Sequence, residues 1–410
     1  MKFFNVKSVE ETMTIIHEQF SPINRTVRLP LMDALGLVLA EDVSAREQVP
    51  PFARSSVDGY AVRASDSFGA SESLPAFFTI TDRIEMGEAA HTPLAEGHAQ
   101  YIPTGGMLPP GADSVVMIEH AEEIGELCNV YRQVAPGENV VAAGEDVQEG
   151  TVVLGVGHRL RPQDLGVLAA IGQTTVTVRP RPVVGLLSTG DEIVPPEKAE
   201  LSPGEIRDIN RMTIGGLVRQ YGGEVVDGGI VRDELETFRD KVAELYQQVD
   251  FLVLSGGSSV GTRDYSVDVL QTLGEPGILV HGVSIKPGKP TIIGKANGKP
   301  VMGLPGHPAS AMIIFQLFGV PILQQLAGER PSAADKRLRA RLSRNVASAM
   351  GRTDYLRVRL EHRDDGLWAI PVFGKSGLIS TLVASDGVIA IPANKEGLMA
   401  GEIVAVELFR

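Results

Sequence analysis

The residues best suited to chemistry in this chain begin with Ser255-Gly256-Gly257-Ser258-Ser259-Val260-Gly261, a loop that closes at Asp264 and directly follows the apolar run Phe251-Leu252-Val253-Leu254. Glycine lets the backbone approach a ligand closely and take positive φ. The exposed N–H groups and Ser hydroxyls then suit phosphate oxygens. Alone, the loop fits a tight strand-to-helix turn as well as a phosphate cradle. It is neither a Walker loop, since no Gly-Lys-Ser/Thr follows, nor a dinucleotide fingerprint. Two more apolar runs end in loops of the same kind. Val183-Val184-Gly185-Leu186-Leu187 leads into Ser188-Thr189-Gly190-Asp191-Glu192, and Pro300-Val301-Met302-Gly303-Leu304 leads into Pro305-Gly306-His307-Pro308.

Asp191 and Glu192 close the first of those runs, Asp233 follows Ile230-Val231, and Asp264 closes the serine-glycine loop. Several carboxylates around a phosphate would repel it unless a cation lies between. Magnesium fills that role, taking one or two carboxylates plus phosphate oxygens. Each acid taken singly is better read as a helix N-terminal cap. The set, converging on strand ends, points to metal. Ile285-Lys286-Pro287-Gly288-Lys289-Pro290 is a compact cationic turn whose Pro and Gly fix a bend. It suits an oxyanion or phosphate, although a solvated surface turn is the ordinary fate of lysine. Pro50-Pro51-Phe52-Ala53-Arg54-Ser55-Ser56-Val57-Asp58-Gly59-Tyr60 and Gly144-Glu145-Asp146-Val147 read, by themselves, as turns.

The elements that must carry these loops follow from periodicity. Residues 180–328 alternate strand and helix, with helices expected at 210–221, 235–248 and 309–326. That alternation argues for a parallel sheet with crossover helices, whose ligands sit beyond the carboxyl ends of the strands. Residues 1–43 read as helical: Val9, Met13, Ile16 and Phe20 recur at helical spacing behind Ser8, and a second apolar stretch, 31–39, follows Pro30. Residues 44–143 show short apolar runs between Gly and Pro, the pattern of a small β domain. Residues 329–410 alternate at period two around Tyr355-Leu356-Arg357-Val358-Arg359-Leu360, as in a small barrel or sandwich.

Whole-chain properties bound the function. A length of 410 residues suggests roughly two to four domains. A net charge of −13 opposes bulk nucleic-acid binding but not a local anion pocket. Cys128 is the only cysteine, so no internal disulfide forms, which fits a reducing, cytoplasmic setting. Neither a signal peptide nor a membrane span is expected.

Taken together, these segments resemble the molybdopterin molybdenumtransferase family (the MoeA/gephyrin E-domain family) of molybdenum-cofactor biosynthesis. The resemblance rests on Ser56-Val57-Asp58-Gly59-Tyr60-Ala61, Pro103-Thr104-Gly105, Gly111-Ala112-Asp113-Ser114-Val115-Val116 and Gly144-Glu145-Asp146. It continues through Ser188-Thr189-Gly190-Asp191-Glu192, the 255–261 loop, Lys286-Pro287-Gly288-Lys289-Pro290 and Gly303-Leu304-Pro305-Gly306-His307-Pro308, in family order over nearly the whole chain. It implies a multi-domain α/β plus β architecture. Residues 1–43 and 144–178 would form an elongated discontinuous domain and 44–143 an inserted β domain. Residues 179–328 would form a doubly wound α/β domain like that of molybdopterin adenylyltransferases, and 329–410 a C-terminal β-barrel. It further implies a homodimer whose cleft lies between the α/β domain of one subunit and the inserted domain of the other.

The implied reaction takes adenylated molybdopterin and molybdate. Magnesium-assisted cleavage of the pyrophosphate releases AMP, and the dithiolene receives molybdenum. By position, Ser255, Gly256, Gly257 and Ser258, with Pro305 and Gly306 of the neighbouring loop, would bind the substrate. Glu192, Asp233 and Asp264 would organise the metal or the attacking oxygen. Lys286 and Lys289 would hold the oxyanion, and Asp58, Thr104 and Asp146 would complete the cleft from the inserted side. The family often carries Lys or Arg four residues before the lysine matching Lys286, where this chain has Gly282. Strand alternation would put Gly282 on the face of Lys286, leaving the oxyanion site one cation short, which bears on molybdate against tungstate. Two alternatives share the fold: a molybdopterin adenylyltransferase, and a non-catalytic scaffold. The long front half and C-terminal barrel weigh against the first, the retained acids against the second. A transient contact with the adenylyltransferase that supplies the substrate is also implied.

Overall fold

The computed structural model describes residues 6–256, 265–331 and 337–409. Its centre is a six-stranded sheet in the order Glu224–Val231, Val183–Thr189, Phe251–Ser255, Lys299–Leu304, Ile292–Ala296, Pro276–His281. The first four strands are parallel, and Ile292–Ala296 runs antiparallel to both of its neighbours. Parallel strands covered on both faces must be apolar throughout, not alternating. That is why Phe251–Ser255 is buried at every position and Val183–Thr189 at all but its first.

Helices cover both faces. Asn210–Gln220 contributes Ile214, Leu217 and Val218 to one core, beside Leu186, Val253 and Leu304. Leu235–Gln248 sends Phe238, Val242, Leu245 and Tyr246 into the other, beside Leu187, Leu252 and Leu254. Pro308–Leu326 is helical throughout, with a π turn at Phe315–Gly319. Its mean hydropathy of 1.5 would suit a membrane span, but 72% of that stretch is buried in the protein core. The chain leaves the central strand Val183–Thr189 first toward Glu224–Val231 and then toward Phe251–Ser255. The crevice where the strand order reverses therefore opens between the ends of Val183–Thr189 and Phe251–Ser255, where ligands of such sheets bind.

Among the described residues of 1–43, the expected helical reading holds for Val9–Gln19 alone, capped by Ser8, whose hydroxyl accepts the Glu11 N–H at 3.0 Å. That helix packs Val9, Ile16 and Phe20 onto the α/β core. Farther on, Val27–Pro30 and Val38–Leu39 are strands on either side of Thr175–Arg179. The apolar residues at 31–39 satisfy helical spacing, but Gly36 turns the chain at φ 76°. Pairing with Thr175–Arg179 then buries Ala34, Leu37 and Leu39 against Leu168 and Val178.

A second six-stranded sheet runs in the order Ser114–Met117, Gly59–Val62, His98–Ile102, Ala76–Arg83, Leu127–Val130, Ala121–Ile124. At the C-terminal end, five strands close into a barrel: Thr353–Arg363, Gly366–Pro371, Leu338–Leu342, Ile403–Leu408 and Gly387–Ile391, the last pairing back onto the first. The short strand Ile285–Lys286 joins this barrel, running parallel to Thr353 and Asp354. The chain is thus a multi-domain α/β plus β protein.

The alternation expected at Gly282 is not found. The strand Pro276–His281 stops one residue earlier, and Gly282 takes φ 93° while its carbonyl accepts the Lys7 N–H at 3.1 Å. Lys286 lies in a different sheet. No common strand face links the two positions, because a left-handed glycine breaks the period of two.

Candidate active site

The ends of the two central strands meet closely. Ser188 and Ser255 are register partners. Gly256 has φ 102°, and a Cβ there would fall 2.1 Å from the Thr189 carbonyl oxygen, so only glycine fits. Ser255 is buried, and its hydroxyl accepts the amide of Asn210 at 2.8 Å. The same amide donates to the Gly306 carbonyl at 2.8 Å, which draws the Pro305 and Gly306 loop to the Ser255 strand. Gly257, Ser258, Ser259, Val260, Gly261 and Asp264 lie outside the described residues.

The acids converge here only in part. Thr189 donates its hydroxyl to Asp233 at 2.6 Å, and the Asp233 N–H donates to the Asp191 carboxylate at 3.2 Å. Asp191, rather than Glu192, is therefore hydrogen-bonded to Asp233. Glu192 folds beside Gly190, its carboxylate 2.9 Å from where a Cβ of that glycine would stand. Asp191, Glu192 and Asp233 are all exposed. Among the described residues, no three His, Cys, Asp or Glu side chains are grouped to hold a metal.

The cationic turn lines a cleft of about 900 Å³ between the α/β sheet and the barrel. Lys286, Lys289, His307, Arg352, Arg357 and Lys375 all border it. Lys286 is fixed by an ion pair with Asp354 at 3.2 Å, and the other Asp354 oxygen takes Arg352 at 3.0 Å. Arg357 is only 6% exposed. One of its terminal nitrogens donates to the Gly374 carbonyl at 2.8 Å, while its Nε has no partner among the described residues. Burial pushes the Arg357 guanidinium below its usual pKa. A buried cation with an unused N–H beside two lysines is an arrangement that invites an anion.

In the other sheet, Asp58 and Thr104 come together although 46 residues separate them. One Asp58 oxygen accepts the Thr104 N–H at 2.7 Å and its hydroxyl at 2.9 Å. These bonds hold the Asp58 carboxyl below the usual carboxylate range. Asp146 is exposed, and its N–H donates to the Val49 carbonyl at 3.0 Å. The segment leading to it runs beside the Asp58 segment, with Val140 paired to Ser55.

Sequence reasoning passed over Asn210, Arg357 and Lys375, and it gave the metal role to Glu192 and not to Asp191. For Asn210 a faint signal exists: a polar amide opening a helix between two expected strands. For Arg357 none exists, because Arg359 shares its parity in the same strand yet is exposed.

Comparison with known proteins matches this organisation along the chain. Residues 7–172 match the MoeA N-terminal region (domains I and II), residues 185–325 match the probable molybdopterin binding domain, and residues 339–409 match the MoeA C-terminal region (domain IV). A molybdopterin molybdenumtransferase of Bacillus subtilis is 34% identical, covering 95% of this chain and 91% of its own. One from Haemophilus influenzae is 32% identical over 98% of both. The crystal structure of a molybdopterin biosynthesis MoeA protein from Pyrococcus horikoshii superposes with a TM-score of 0.83 at 32% identity, covering 99% of this chain and 100% of that one. With three consecutive family regions in order and relatives of this identity along its whole length, the chain belongs to the MoeA family.

Proposed function

We propose that the protein is a transferase that inserts molybdenum from molybdate into adenylated molybdopterin and releases AMP. The observation that carries this reading is the cationic cleft, which buried Arg357, with its Nε unpartnered among the described residues, lines together with Lys286 and Lys289. In an acidic chain such a concentration of positive charge suits an oxyanion. Lys286 and Lys289 supply point charges, and Arg357 adds a directional N–H.

The strand-end crevice supplies the second half. Ser255 and Gly256, with Gly257 and Ser258 following, hold the nucleotide phosphate, and Pro305 and Gly306 close the crevice beside them. Magnesium fits the residues that are described. Asp191 and Asp233 present exposed oxygen donors at neighbouring strand ends, and this metal needs only one or two protein carboxylates besides phosphate. Glu192, Asp233 and Asp264 are assigned to this function, with Asp191 added by geometry. Bound there, magnesium would neutralise charge on the pyrophosphate. Asp58, Thr104 and Asp146 complete the cleft from the inserted side of the partner subunit in a homodimer. Thr104 aims the Asp58 carboxylate and lowers its pKa. A transient contact with the adenylyltransferase that makes the substrate belongs to the same reading. A cytoplasmic location suits Cys128, a buried free thiol.

The test incubates purified protein with adenylated molybdopterin and magnesium, adding molybdate or tungstate in turn. AMP release that depends on the oxyanion supports the proposal. AMP transfer from ATP to unmodified molybdopterin would show an adenylyltransferase instead, and neither activity would leave a scaffold.

A further inference from the structure

Asn210 sits where the two ligand loops of the α/β sheet come together, and it is only 7% exposed. Its amide nitrogen donates to the Ser255 hydroxyl and to the Gly306 carbonyl, both at 2.8 Å. The orientation of the amide is not arbitrary. A carbonyl oxygen such as that of Gly306 only accepts, so the nitrogen must face it. Both donor hydrogens are then used, one on each loop. The remaining oxygen, Oδ1, is buried without a partner among the described residues, and so is the hydroxyl of Ser188, the register partner of Ser255. A buried amide that leaves an acceptor unused costs stability. Such a feature belongs where ligand geometry, rather than fold stability, sets the requirement.

We infer that Asn210 is a positioning residue that clamps the Ser255 and Gly306 loops into one rigid phosphate-binding edge. The inference rests on the proposed phosphate role of Ser255 and Gly256. The clamp itself is a statement about two loops and can be tested without substrate. Ser255 and Gly306 are 51 positions apart, and the strand ladder that pairs Ser255 with Leu304 ends there, so beyond the ladder Asn210 ties the Gly306 loop to Ser255. With Asn210 in place, a shift of one loop must move the other.

The experiment compares the full chain with Asn210→Ala, Ser255→Ala and the double variant. Hydrogen exchange is followed in peptides covering Ser255, Gly256 and Leu304 to Gly306, and AMP binding by calorimetry. In Asn210→Ala, exchange is expected to rise about ten-fold in both loops together, the equivalent of one buried hydrogen bond. Leu252 to Leu254 should keep wild-type rates, which separates a clamp from general destabilisation. AMP affinity is expected to fall about ten-fold in each single variant, and the double variant should be no weaker than the worse single, because both remove one coupled unit. Exchange that rises in one loop only, or in neither, would overturn the clamp. Additive losses of AMP affinity would likewise show that Asn210 does not act through Ser255. If the wild type binds no AMP, the phosphate role of the crevice falls, and the exchange result still decides the clamp.

Discussion

The Asp58 carboxylate takes both polar hydrogens of Thr104, and those two bonds lower its pKa. Because the folded pKa is depressed, the interaction is complete above the carboxyl's ordinary value and is lost as pH falls through the lower, folded one. Thr104→Ala removes the hydroxyl but keeps the backbone donor. The Asp58 pKa should rise part of the way back, as read by carboxyl carbon NMR titration; an unchanged midpoint would show that the hydroxyl has no part in it. Arg357 gives a second residue-scale test. Arg357→Met keeps most of the buried stem and removes the charge. Molybdate affinity, measured by titration calorimetry, should fall about ten-fold or more, the value of a hydrogen bond to a charged group. Wild-type affinity in that variant would remove Arg357 from the oxyanion site. Neither Arg357 nor Asp191 could be distinguished from its chemically similar neighbour by sequence. Identical residue types two apart, or an acid next to an acid, differ only in what the folded chain puts around them.

Among elements, the decisive geometry is the close approach of Val183–Thr189 and Phe251–Ser255. Gly256→Ala would put a Cβ 2.1 Å from the Thr189 carbonyl oxygen at a φ of 102°. The backbone cost alone is about 1–3 kcal/mol, and the clash adds to it. A lower urea midpoint and loss of AMP binding should appear together. A variant as stable as the wild type would mean the strand ends can separate at little cost. The strands and helices of this unit were readable because buried parallel strands are continuously apolar and their crossover helices are amphipathic. Residues 27–39 were not: their apolar spacing suits a helix, whereas Val27–Pro30 and Val38–Leu39 pair with Thr175–Arg179 as strands on either side of a turn. The Gly282 position misled for a related reason: alternation presumes an unbroken strand, and a positive φ breaks it.

At the scale of the whole molecule, the proposed cleft draws Asp58, Thr104 and Asp146 from one subunit and the phosphate crevice from the other. Asp58→Asn and Asp233→Asn should each abolish AMP release. Mixing the two and allowing subunits to exchange should restore about a quarter of wild-type activity, because half of the dimers are mixed and each has one intact cleft. Sedimentation should show a dimer throughout. No recovery despite exchange would place Asp58 and Asp233 in a single subunit's site.

Read along the chain, local signals decided a good deal: which segments are strands, which loops are rich in glycine and serine, and where lysines cluster. Those properties depend on a residue and its near neighbours, and hydropathy period reports them directly. Contacts between distant segments needed the folded molecule. Ile285 pairs with Thr353, and so the lysine turn faces the barrel, where Asp354 fixes Lys286 and Arg357 lines the same cleft. Asn210 joins two loops for the same reason. Such pairings are set by how whole sheets and helices pack, and no window of sequence contains both partners.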